Sequence, residues 1–113
     1  MRFTDWPAAA PFVHVVLFKL PEDAPVDEAR DELEHEIATL LEHVPGVESL
    51  WYGPPADTRT SKRGMVDADY DVGLLVLFRD REALDAYLKH PDHETFAEKW
   101  DDYCTVRVFD FEH

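Results

Sequence analysis

From Phe12 to Lys19 the chain places apolar residues on both sides of an extended segment: Phe12, Val16 and Phe18 alternate with Val13, Val15 and Leu17. A strand that is apolar on both faces needs cover from two sides. Pro21 and Pro25 end it. Asp27 then stands where it can cap a helix whose apolar positions Ala29, Leu33, Ile37, Leu40, Leu41 and Val44 follow a helical period, while Glu28, Glu32, Glu36 and Glu42 face water. Pro45-Gly46 stops this helix, Val47 to Tyr52 reads as a second strand, and Gly53-Pro54-Pro55 breaks that strand.

A polar loop follows from Ala56 to Asp69, and Tyr70 to Phe78 gives a third strand with apolar residues again on both faces. Asp80 can cap a short helix through Tyr87, Asp92 a second through Trp100, and Cys104 to Phe111 forms a fourth strand rich in Val and Phe. The order βαββααβ predicts an α+β fold, a ferredoxin-like four-stranded antiparallel sheet with its helices on one face. Its other face stays apolar, and a second copy of the chain can cover it. We therefore expect a homodimer with one domain per chain, spanning 1–113 with a core from about Phe12 to Phe111.

Charge narrows the range of partners. The 25 acidic and 11 basic residues leave a formal net charge of -14, which argues against nucleic acid and anionic membranes. Arg59, Lys62 and Arg63 concentrate three of the 11 positive charges in the polar loop. Such a cluster more often meets acidic residues of a neighbouring subunit than an anionic ligand tail. Cys104 is the single cysteine, so no intrachain disulfide forms, and a reducing cytoplasm is the expected location. The N-terminal residues carry no long apolar run of the kind an export signal or membrane span requires.

Candidate chemistry gathers in Tyr87-Leu88-Lys89-His90-Pro91-Asp92-His93, which sets a phenol and two imidazoles at a proline-marked junction between helices. With Asp92 as cap, His93, Phe96, Ala97 and Trp100 share one helical face, so His93 looks toward the apolar interior. Partial desolvation there suits an imidazole to general base work. Asp110 alternates with Cys104, Val106 and Val108 on one face of the last strand and is the expected partner that fixes the His93 tautomer. Tyr87 shares a stripe with Leu84 and Leu88, so its ring is expected in the core with the hydroxyl directed at a cavity or a backbone carbonyl. His14, on the Phe12 and Val16 face of the first strand, His90 and Trp51 are the candidate ligand contacts. His35 and His43 lie off the apolar stripe of the first helix and are expected in solvent. His90, Asp92 and His93 lack a third committed ligand, so no side-chain metal site is expected.

Taken together, His14-Val15-Val16-Leu17-Phe18, Pro45-Gly46-Val47, Tyr70-Asp71 leading into Phe78, the Tyr-x-x-His-Pro-x-His segment from Tyr87 to His93 and the closing Val108-Phe109-Asp110-Phe111 resemble the stress-responsive A/B barrel (Dabb) family. The likeness runs from about Phe12 to Phe111 and implies a dimeric α+β barrel. That family includes plant polyketide cyclases in which a tyrosine and the second histidine of this motif form the acid/base pair and an aspartate of the closing strand orients the histidine. By position the resemblance assigns these roles to Tyr87, His93 and Asp110, which implies a cofactor-free cyclase or isomerase acting on a small carbonyl or aromatic metabolite. The competing expectation is a non-catalytic stress or assembly protein in which the same residues tie helix to sheet. Haem-degrading and quinol monooxygenases share the barrel superfamily, but nothing in the spacing here favours them.

Overall fold

A computed structural model describes residues 12–56 and 69–113 of the chain. The order is β1 (Phe12–Lys19), α1 (Val26–Glu36), a π-helical turn (Ile37–Leu41), β2 (Val47–Gly53), β3 (Val72–Phe78), α2 (Arg81–Lys89), α3 (Pro91–Tyr103) and β4 (Thr105–Glu112). The strands form one four-stranded antiparallel sheet in the order β2-β3-β1-β4. The two segments that are apolar on both faces are therefore the two central strands, as their pattern predicts. The loop residues Arg59, Lys62 and Arg63 lie outside the described residues.

Phe12, Val16 and Phe18 of β1 and Val72, Leu74, Val76 and Phe78 of β3 share the main core with Leu33, Ile37, Leu41, Tyr87, Phe96 and Trp100 from the helices. Val13 and Leu77, with Val15 and Leu75 packed on them, belong to the opposite face of the sheet. β4 closes the sheet with Val108 and Phe109 exposed. Asp71 pins the entry to β3: its carboxylate accepts the Leu20 N–H at 2.7 Å, and the Arg30 Nε donates to its carbonyl at 3.1 Å.

Two caps differ from expectation. Asp27 lies in the first turn of α1, whose N-cap is Pro25; Val26 already has helical geometry, so the carboxylate sits too far along to cap and contributes through the helix dipole instead. Asp92 likewise lies inside α3. His90 is the N-cap there, its Nδ1 accepting the Asp92 N–H at 3.1 Å, with Pro91 at the first helical position. Asp80 caps α2 as predicted, accepting the Ala83 N–H at 2.9 Å.

Gly46 turns the chain from the first helix into β2 with φ at +97°, and a Cβ built there would stand 3.1 Å from the Ala83 Cβ. Backbone strain and a tight contact with α2 act together. Gly46→Ala is expected to lower unfolding free energy by roughly 1–3 kcal/mol, read as an earlier midpoint in urea denaturation. An unchanged midpoint would mean that the turn adapts freely.

Candidate active site

Residues of β1, β3, β4, α2, α3 and the π-helical turn line a cavity of about 160 Å³ against the helix-bearing face of the sheet. Its polar lining consists of His14, Tyr87, His93 and Asp101, and its apolar wall includes Phe18, Leu74 and Val108. Tyr87 is 1% exposed. It is placed there because α2 turns Leu84 and Tyr87 inward one turn apart, with the phenol ring stacked obliquely on Phe78 at 4.9 Å and on His93 at 4.6 Å between centroids. Burial pushes the phenol's proton affinity well above its ordinary value of 10.0, so it remains a neutral hydrogen-bond donor.

His93 stands in the first turn of α3, half-buried, with its Nδ1 enclosed and lacking a hydrogen-bond partner. Burial lowers its proton affinity from the usual 6.5, the neighbouring His14 imidazole lowers it further, and Asp101, the Leu88 backbone and Glu94 oppose both. At neutral pH the ring is therefore uncharged and able to accept a proton.

The expected His93–Asp110 contact is absent. In the β1–β4 register His14 faces Asp110, and the His14 Nδ1 meets the Asp110 Oδ1 at 2.5 Å. The aspartate is on the predicted face but one imidazole away from the predicted partner. The carboxylate fixes the orientation of the His14 ring through Nδ1 and leaves Nε2 on the other side of the ring. His14 is buried, and its ring stands edge-on to Tyr87 at 6.0 Å.

The remaining candidates separate. His90 caps α3 and does not line the cavity. Trp51 pairs with Leu75, on the sheet face opposite His14, so it does not line the cavity either. His35 and His43 are exposed, as expected. Among the described residues no three His, Cys, Asp or Glu side chains group as metal ligands. Asp101 was not foreseen, although His93, Ala97 and Asp101 recur every fourth residue along one face of α3. Burial raises its carboxyl's proton affinity, and His93 lowers it.

Residues 12–113 match the model of the stress responsive A/B barrel domain family. The chain belongs to that family. As an A/B barrel protein it resembles a dimeric ferredoxin-like protein of unknown function from Jannaschia sp. CCS1 at 26% identity, covering 90% of this chain and 98% of that one with a TM-score of 0.69. An Arabidopsis thaliana protein is 24% identical over 91% of this chain and 95% of its own, with a TM-score of 0.72. The hydroxynitrile lyase of Passiflora edulis shares the fold at 13% identity, covering 90% and 92% of the two chains with a TM-score of 0.74. No curated protein sequence matches the A/B barrel chain. No helix among its described residues is long and apolar enough to cross a membrane.

Cys104, buried where α3 gives way to β4, has its thiol pushed up from 9.0 to about 11, first by burial and then by Asp71 and Asp101. Tyr87 is shifted in the same direction. For acids whose proton affinity is raised by folding, stability is fully present below the unfolded value and is lost as pH rises toward the folded one. Between pH 9 and 11 the Cys104 contribution alone amounts to at most about 3 kcal/mol. Melting temperature is expected to fall across this window and to fall less in Cys104→Ala; equal slopes in both proteins would remove the thiol from the account.

Proposed function

We propose that the protein is a cytoplasmic homodimer whose cavity binds a small carbonyl or aromatic compound and catalyses cofactor-free proton transfer next to the carbonyl, leading to isomerisation or ring closure. The observation that carries this is an apolar cavity whose wall brings together a neutral phenol and the imidazoles of His14 and His93, the latter uncharged at neutral pH. His93 takes the proton from the carbon adjacent to the carbonyl. Tyr87 donates a hydrogen bond to the oxygen as it becomes an enolate. Protonated His93 then returns its proton, either to another carbon of the enolate or to the alkoxide formed when the enolate attacks a second carbonyl of the same molecule. His14, held by Asp110, presents its ring to the same space.

The volume favours small substrates. A cavity of order 150 Å³ holds a molecule of about the size of benzene, which suits a single-ring or short-chain ketone better than an extended polyketide. The Passiflora edulis neighbour supports the capacity of this fold to carry a lyase site. It assigns no residue here.

The short His14–Asp110 contact between β1 and the edge strand β4 supports the second reading, a non-catalytic protein in which these side chains are structural. Deuterium exchange separates the two. Acetophenone incubated with the protein in D2O is expected to exchange its methyl protons faster than in buffer, as followed by NMR, and the acceleration is expected to vanish in Tyr87→Phe. No acceleration by the parent protein, with Tyr87→Phe losing only melting temperature, would establish the structural reading.

A further inference from the structure

His93, Ala97 and Asp101 line the interior cavity and also a shallow outer groove on α3, shared with Glu94, Glu98 and Asp102. A ligand reaching Tyr87 and His93 from this side passes four carboxylates: Glu94, Glu98, Asp101 and Asp102. Among the described residues no Lys or Arg lines either space. The nearest lysine in sequence, Lys99, is turned to the other side of α3, where it donates to Glu32 at 3.1 Å and also binds Glu36. Trp100 donates to the same Glu36 at 3.2 Å, which holds that side of the helix against α1. At the inner end of the path the deeply buried Tyr87 lines the cavity with its phenol protonated and available as a donor.

We infer that the groove makes the cavity selective for uncharged carbonyl compounds and against carboxylates, phosphates and thioesters with anionic carriers, with Asp101 as the residue that sets this preference. The inference rests on the carbonyl-binding reading above and adds a substrate class to it. An incoming anion meets like charges on every polar position of the groove except His93, and the low-dielectric wall of the cavity focuses that field. Asp101 acts most strongly because it alone of the four lines both spaces. The preference is therefore electrostatic and weakens as salt shortens the screening length, about 10 Å at 0.1 M ionic strength.

The test compares acetophenone and benzoate, which have closely similar size and shape, by titration of each into the full-length protein with NMR detection. At low salt acetophenone is expected to bind at least tenfold more tightly. An apolar cavity disfavours any carboxylate to some degree, so the deciding observations are the variant and the salt. Asp101→Asn is expected to narrow the ratio at least threefold, further with Glu98→Gln added, and salt is expected to narrow it in the parent protein and not in the double variant. Comparable binding of the two probes, or a ratio that ignores both Asp101→Asn and salt, overturns the inference while leaving carbonyl binding intact. Failure of acetophenone to bind at millimolar concentration overturns the carbonyl reading and this inference together.

Discussion

Replacing His93 by Gln is expected to reduce protein-catalysed exchange of ketone α-protons by two to four orders of magnitude, the usual contribution of a positioned general base. Stability is expected to change little. The ring is half-buried and its Nδ1 makes no hydrogen bond of good geometry, so little pairing energy is lost with it. The Gln amide has a comparable polar reach but cannot accept a proton at neutral pH. The pH profile gives an independent check. Burial and the His14 imidazole hold the His93 proton affinity below 6.5, so the exchange rate in the parent protein is expected to rise with pH and level off with a midpoint below that value. Asp101 acts in the opposite direction on His93, and Asp101→Asn is expected to lower the midpoint further. A folded His93→Gln protein that retains exchange, or a midpoint that stays put in Asp101→Asn, would remove His93 from the role of base.

The linkage sign for the same group sets a matching stability window. A histidine whose folded proton affinity lies below the unfolded value is stabilised neutral, so unfolding takes up a proton as pH falls below 6.5. Its contribution is present above that value and declines toward the folded midpoint. Loss of stability in mild acid should be smaller in His93→Gln than in the parent protein, as measured by urea denaturation at pH 7 and pH 5.

How far the sequence determines this site is clearest at His14, His93 and Asp110. Alternation along Cys104 to Phe111 correctly puts Asp110 on the helix-bearing face, because strand period fixes faces. It does not fix which residue of β1 lies opposite, since the chain between them runs through the whole fold and no hairpin turn sets the register. The β1–β4 pairing decides that Asp110 meets His14. A similar limit explains the caps: Asp27 and Asp92 have the right chemistry, yet Pro25 and Pro91 hold backbone geometry that starts each helix earlier, which leaves His90 to cap α3. Conversely, the central positions of β1 and β3 follow directly from apolar residues on both faces. Asp101 was legible as the third member of the His93, Ala97, Asp101 row; a carboxylate in a predominantly acidic helix gives no contrast against its background until the cavity locates it.

The largest effect on assembly is expected from Phe109→Asp. On the sheet face away from the helices, Phe109 and Phe111 are 67% and 42% exposed and touch one another with ring centroids 5.9 Å apart, beside half-buried Val15, Leu17 and Leu75. A contiguous aromatic and aliphatic surface of this kind is characteristic of an interface, and the proposed homodimer covers it. In a two-fold dimer each substitution occurs twice. Loss of a central aromatic anchor costs about 2 kcal/mol or more, so two copies cost about 4 kcal/mol, close to a thousandfold in dissociation constant. Introducing two carboxylates into a dry interface adds to that. Sedimentation at micromolar concentration should therefore show a two-chain mass for the parent protein and a one-chain mass for Phe109→Asp. Because Phe109 is exposed within the single subunit, the variant's own fold should persist, and its melting temperature should lose the dependence on protein concentration that a folded dimer shows. A one-chain mass for the parent, or an unchanged two-chain mass for the variant, would assign this face to something other than the dimer contact.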